Sequence, residues 1–89
     1  MLFMGTMTWT SEQRDAIVKR GKEKGSMIPE GVKVINEWVD ATGGKSFSLF
    51  EANNSNDILA WLYAWSDIIK FEITPVMEME KIMQVIQGS

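Results

Sequence analysis

Residues 32–52 read VKVINEWVDATGGKSFSLFEA, two β-rich runs on either side of Gly43-Gly44. A Gly-Gly pair between such runs signals a two-residue hairpin, because both turn positions require φ > 0. That turn sets Thr42 opposite Lys45, Asp40 opposite Phe47, Trp38 opposite Leu49 and Asn36 opposite Glu51. One face of the ribbon then shows Val34, Asn36, Trp38, Phe47, Leu49 and Glu51. The other shows Ile35, Glu37, Val39, Ser48 and Phe50. Both faces are largely apolar, so both need cover.

Working outward, the 89 residues make one small domain, 1–89, with room for a single core. Hydrophobic residues are 45% and charged ones 24% of the chain, which excludes disorder as the default reading. The net charge of −3 disfavours nucleic acid and anionic membranes as partners. Cysteine and histidine are both absent. Their absence removes disulfides, a thiolate nucleophile, zinc-thiolate sites, the commonest general base and the usual haem ligand. No cofactor is expected. The longest apolar runs fall far short of the roughly 18 residues that span a bilayer. The beginning, MLFMGTMTW, has neither a basic region nor a small-residue cleavage site, so the expectation is a cytoplasmic protein.

Residues 2–9 are apolar and Thr-rich on both parities, the pattern of a central strand covered on both faces. Thr10 and Gln13 have capping-box spacing and open a helix that runs to about Lys24 and stops at Gly25. Lys19, Arg20, Lys22 and Lys24 crowd its last turns, where cations suit the helix dipole. Gly25–Gly31, with Pro29, is a loop leading into the hairpin. Beyond the hairpin and a polar turn at 53–57, residues 57–69 place Ile58, Leu62, Trp65 and Ile69 at helical spacing, with Trp61 on the same side. Then KFEITPVM reads as a short strand that Pro75 confines to a sheet edge. Met79, Ile82, Met83 and Ile86 stand at i, i+3, i+4 and i+7 and form a last amphipathic helix.

The order β-α-β-β-α-β-α is the ferredoxin-like pattern plus a tail helix, an α+β fold. Right-handed crossovers give an antiparallel sheet in the order 4-1-3-2 with both main helices on one face. The fold alone assigns no function. An RNA-recognition domain shares this topology, and Leu2–Met7 resembles its first motif, with Phe3 and Phe47 as stacking residues. The second motif fails: Lys45-Ser46-Phe47-Ser48-Leu49-Phe50 lacks the glycine after the basic residue, and Leu49 stands where an aromatic belongs. An acidic chain also lacks the electrostatic footprint for phosphates. An acyl-phosphate enzyme is disfavoured because Trp9–Ser11 offers no glycine-rich cradle and no arginine.

Longer stretches carry a closer likeness. Met27-Ile28-Pro29-Glu30-Gly31-Val32, Glu37-Trp38-Val39, Phe47-Ser48-Leu49-Phe50-Glu51, Trp61–Asp67 and Phe71-Glu72-Ile73-Thr74-Pro75-Val76 occur in order over nearly the whole chain. With them the sequence is similar to domain-of-unknown-function family 3303, which resembles the dimeric α/β-barrel superfamily. Gly21 here replaces a bulkier residue of that family, and the basic pattern of the first helix is altered. The resemblance implies two ferredoxin-like sheets packed face to face in a homodimer. It also implies either a ligand-binding or interaction module without chemistry, or a cofactor-independent monooxygenase- or isomerase-like enzyme acting on a small apolar or aromatic substrate. In such an oxygenase the substrate supplies the electrons while the protein positions and desolvates it.

On the hairpin register, the candidate pocket gathers Asn36, Trp38, Phe47, Leu49 and Glu51, with Trp65 from the second helix. Glu51, held among apolar side chains, is the candidate catalytic base. Trp38, Trp61 and Trp65 are expected to be buried and Trp9 exposed. Large apolar residues on both parities of three strands predict that a second copy covers the open sheet face.

Overall fold

A computed structural model describes residues 1–88. Its elements are β1 (Leu2–Thr8), α1 (Ser11–Lys24), β2 (Val32–Val39), β3 (Lys45–Ala52), α2 (Ser55–Trp65), β4 (Lys70–Pro75) and α3 (Met79–Gly88). The four strands form one sheet in the order β2-β3-β1-β4, with β1 antiparallel to both of its neighbours and β2 antiparallel to β3. This is the ferredoxin-like arrangement. Pro75 closes the edge strand β4, where its missing N–H leaves no ladder bond unmade.

Local chemistry sets the helix ends. The Gln13 side chain accepts from the Thr10 N–H at 3.0 Å, and Gly25, at φ 69°, ends α1 in the left-handed region. The Asn54 side chain accepts from the Asn56 N–H at 2.8 Å and opens α2. That helix stops at Trp65, four residues before the expected end. There the N–H groups of Ile68 and Ile69 both turn back to the Trp65 carbonyl, at 3.0 and 2.9 Å.

The hairpin departs from expectation in two places. Gly43 and Gly44 do take positive φ, 87° and 79°, but the pair that closes the loop is Asp40–Lys45 rather than Thr42–Lys45. The Asp40 carboxylate accepts from both the N–H and the hydroxyl of Thr42, at 2.9 and 2.8 Å, and this local turn draws two more residues into the loop. The same two bonds, the backbone one first, hold the Asp40 carboxyl below its ordinary value. A two-residue shift preserves parity, so Trp38, Phe47 and Leu49 keep the face assigned to them, with Trp38 now opposite Phe47. A bulge at Ile35 then changes parity. Val34 pairs with Phe50, Asn36 with Leu49, and Glu51 with Lys33.

The core lies between the sheet and the two main helices. Val32, Phe50, Ala52, Trp61 and Trp65 are buried there, with Phe3, Ile17, Ile58, Phe71 and Ile73 packed against them. Phe50 is fully enclosed, stacked 5.4 Å from Phe3 and edge-on to Trp61 at 5.2 Å. A Cβ at Gly31 would meet the Asp57 carboxylate at the start of α2, which would have to swing aside.

On the opposite face the sheet is bare. Leu2, Met4, Phe47 and Leu49 are only partly covered, and Trp38 is 45% exposed. None of the residues of α3 is buried. Among the tryptophans, 61 and 65 are buried as expected, whereas Trp38 is exposed and Trp9 half-buried. Trp38 is exposed because it points to the uncovered face.

Candidate functional site

The strand β3 decides where a ligand can sit. Its sequence KSFSLFEA alternates Ser46, Ser48, Phe50 and Ala52 toward the helices with Lys45, Phe47, Leu49 and Glu51 away from them. At positions 46–49 the small hydroxyl residues point inward and the bulky apolar ones outward. Across the gap, α1 presents Gly21, where even an added Cβ would meet nothing within 4 Å. Small residues facing each other across two layers leave a void. A cavity of about 310 Å³ opens there, walled by Trp61 and Trp65 from α2, Ile17 and Gly21 from α1, and Met7, Phe71, Ser46 and Ser48 from the sheet. Glu37 lies at its border, opposite Ser48 in the ladder.

Most of this lining is apolar, and Ser48 is the exception that matters. The residue is 1% exposed, and among the described residues its hydroxyl has no hydrogen-bond partner. An unpaired buried hydroxyl costs about 1–3 kcal/mol, so the fold tolerates a penalty at the cavity floor.

The cavity wall is held by a linked set of polar contacts. Arg20 donates through Nη1 and Nη2 to the two carboxylate oxygens of Asp67, at 2.7 and 2.6 Å, and through Nη1 to the Ala64 carbonyl at 2.9 Å. Its guanidinium lies 5.6 Å from the Trp65 ring centre, within cation–π range. The bidentate bond raises the pKa of Arg20 and holds the Asp67 carboxyl below its ordinary value. Trp65 in turn donates its indole N–H to the Ser26 carbonyl at 3.0 Å, fastening the Gly25–Ser26 rim. Next along that rim Met27 has φ 53°, a left-handed conformation uncommon for a residue with a side chain.

Of the residues expected to form a pocket, only Trp65 lines this cavity. Asn36, Trp38, Phe47, Leu49 and Glu51 share the opposite sheet face. The predicted Asn36–Glu51 pair does not form. Asn36 stands opposite Leu49 and accepts the Glu37 N–H on its own side chain at 2.9 Å. Glu51 is exposed, between Leu2 and Lys33, so the expectation of a buried carboxyl fails in the single chain. The two-residue shift of the hairpin is the reason: it sets Asn36 opposite Leu49, and the bulge at Ile35 then pairs Glu51 with Lys33. Phe3, the stacking residue of the RNA-recognition reading, sits in the core against Phe50, on the opposite sheet face from Phe47. The two aromatics cannot form one stacking platform. Among the described residues, no group of three acidic, histidine or cysteine side chains is placed to hold a metal ion. No helix of the described residues is long and apolar enough to cross a membrane.

The family described as a domain of unknown function, DUF3303, matches residues 1–89. The chain belongs to the DUF3303 family. No curated protein matches this DUF3303 chain. Among solved structures it is similar to a Deinococcus radiodurans protein provisionally named an antibiotic biosynthesis monooxygenase. That likeness has 12% identity and a TM-score of 0.48, and covers 86% of this chain and 92% of the other. A second is an Agrobacterium tumefaciens protein at 11% identity and a TM-score of 0.47, with 89% and 96% covered. Neither likeness bears on what this DUF3303 chain binds.

Proposed function

We propose that this protein is a homodimeric binding module for a small, mostly apolar molecule that carries one hydrogen-bonding group. The observation that carries the reading is the unpaired Ser48 hydroxyl at the floor of the cavity. A hydroxyl both donates and accepts, so a phenol, alcohol or ketone would remove the penalty that the empty fold bears. Trp61, Trp65 and Phe71 supply flat apolar walls for a ring. A volume of about 310 Å³ is at the low end of the roughly 300–1,000 Å³ typical of small-molecule sites.

Support for the homodimer comes from surface area. A compact monomer of 10.1 kDa exposes about 5,300 Å², whereas this chain exposes 6546 Å². The excess, about 1,200 Å², is more than the roughly 800 Å² per partner that a standard interface buries. The open sheet face, with Leu2, Met4, Phe47 and Leu49, is the surface an isologous contact would cover. Burying it would also bring Glu51 and Asn36 into the interface.

Glu37 favours an enzymatic variant of the same reading. The residue borders the cavity beside Ser48 on the neighbouring strand, and its carboxylate is a candidate to take a proton from a bound phenol or enol. Titration with 1-naphthol, followed by quenching of Trp61 and Trp65, tests the binding reading. Saturable quenching that weakens in Ser48→Ala is expected; equal quenching in both proteins would reject the site. Oxygen uptake with a hydroquinone tests the variant, and unchanged uptake in Glu37→Gln would reject it.

A further inference from the structure

The tail helix is the part of the molecule that the single chain leaves without a role. The domain measures 50 × 29 × 17 Å and has a radius of gyration of 15.1 Å, against about 12 Å for a compact chain of this length. None of the residues of α3 is buried, yet the helix is amphipathic: Met79, Ile82 and Met83 are 72%, 39% and 46% exposed, Glu80 and Lys81 separate Met79 from Ile82, and Gln84 follows Met83. A second exposed apolar residue lies on β2, where Trp38, on the open face, is 45% exposed. β2 and β4 are the two opposite edges of the sheet, and α3 departs from the β4 edge.

We infer that α3 is an exchanged arm that docks on a second copy of this chain, its Ile82–Met83 side against the Trp38 edge of that copy's sheet. The inference rests on the homodimer reading above. Two open faces stacked about a twofold axis parallel to the strands set the β4 edge of each protomer over the β2 edge of the other. Stacked sheets lie about 10 Å apart. The three residues 76–78 span up to about 10 Å, and the ten residues of α3 add about 15 Å. The arm therefore reaches the partner's edge strand. Its polar side carries a single cation, Lys81, beside Glu80, which does not suit an anionic lipid surface. The arm and the β2 edge also belong to the surplus surface, so covering one with the other accounts for apolar area that sheet stacking alone leaves exposed.

The absence of cysteine makes the test clean. Met83→Cys and Trp38→Cys are prepared as single variants, unfolded together, refolded as a mixture and oxidised, with the native mass read by light scattering. The expected result is a native dimer and a disulfide-linked species at twice 10.1 kDa from the mixture, far above either variant alone. Ile82→Cys with Asn36→Cys, which shares the open face with Trp38, repeats the test should the first pair fail to fold. A dimer without linkage in both pairs overturns the arm and leaves the homodimer standing. A monomeric mass of the unsubstituted chain, 10.1 kDa, overturns both. A double variant, Met83→Cys with Trp38→Cys, that links only within one chain places the arm on its own sheet and likewise overturns the inference.

Discussion

Replacing Ser48 by alanine separates the stability of this fold from its binding. The hydroxyl is buried without a partner, so its removal recovers part of the roughly 1–3 kcal/mol that an unpaired buried group costs. Against this stands the loss of a few dispersion contacts of one oxygen atom, each about 0.1–0.2 kcal/mol. The net expectation is a gain of about 1 kcal/mol, or about 4–8 °C in Tm for a domain of this size. A ligand hydroxyl bonded to Ser48 would lose about 0.5–1.5 kcal/mol in the same variant, a roughly 2- to 12-fold weaker Kd. Stability is read by guanidinium unfolding with tryptophan fluorescence, at fixed protomer concentration because association contributes to it. Affinity is read by calorimetry. A variant destabilised by 1 kcal/mol or more would show that the hydroxyl already has a partner, and would refute the reasoning.

Gly21→Leu is expected to stabilise α1 by about 1 kcal/mol from helix propensity while its side chain enters the cavity, so ligand quenching of Trp65 should vanish; undiminished quenching would place the ligand elsewhere. The Arg20–Asp67 pair predicts an acid-side effect. The folded Asp67 carboxyl lies below its ordinary 3.8, so its stabilisation is present above that value and is lost as pH falls through the lower, folded one. Denaturation of wild type and Asp67→Asn across pH 2–7 should show a difference in the upper part of the range that closes at the acid end. A pH-independent difference would contradict it.

The hydrophobic period, the Thr10 and Gly25 helix boundaries and the edge position of Pro75 were all legible in the sequence, and they suffice for the sheet order. The site was harder to read. Gly43-Gly44 marks the hairpin, but the Asp40 carboxylate moves its closing pair by two residues, and the bulge at Ile35 carries no residue-type signal in VKVINEW. The loop shift alone moves Asn36 from Glu51 to Leu49, and the bulge then pairs Glu51 with Lys33. Ser46 and Ser48 did carry a signal. In a strand beneath two helices, serines that alternate with Phe47 and Leu49 put the small residues inward, which signifies a hollow core and a loaded outer face. Gly21, conspicuous in the middle of a helix, is the matching mark on the other wall. The exposed Trp38 belongs to the same pattern, because its cover would have to come from another chain.

The most direct test is a crystal structure of the protein soaked with 1-naphthol. The account predicts density for the ring between Trp61, Trp65 and Phe71, with the naphthol oxygen within about 3.2 Å of Ser48 Oγ. A cavity closed by its own side chains, or ligand density confined to the face that carries Asn36 and Glu51, would contradict it.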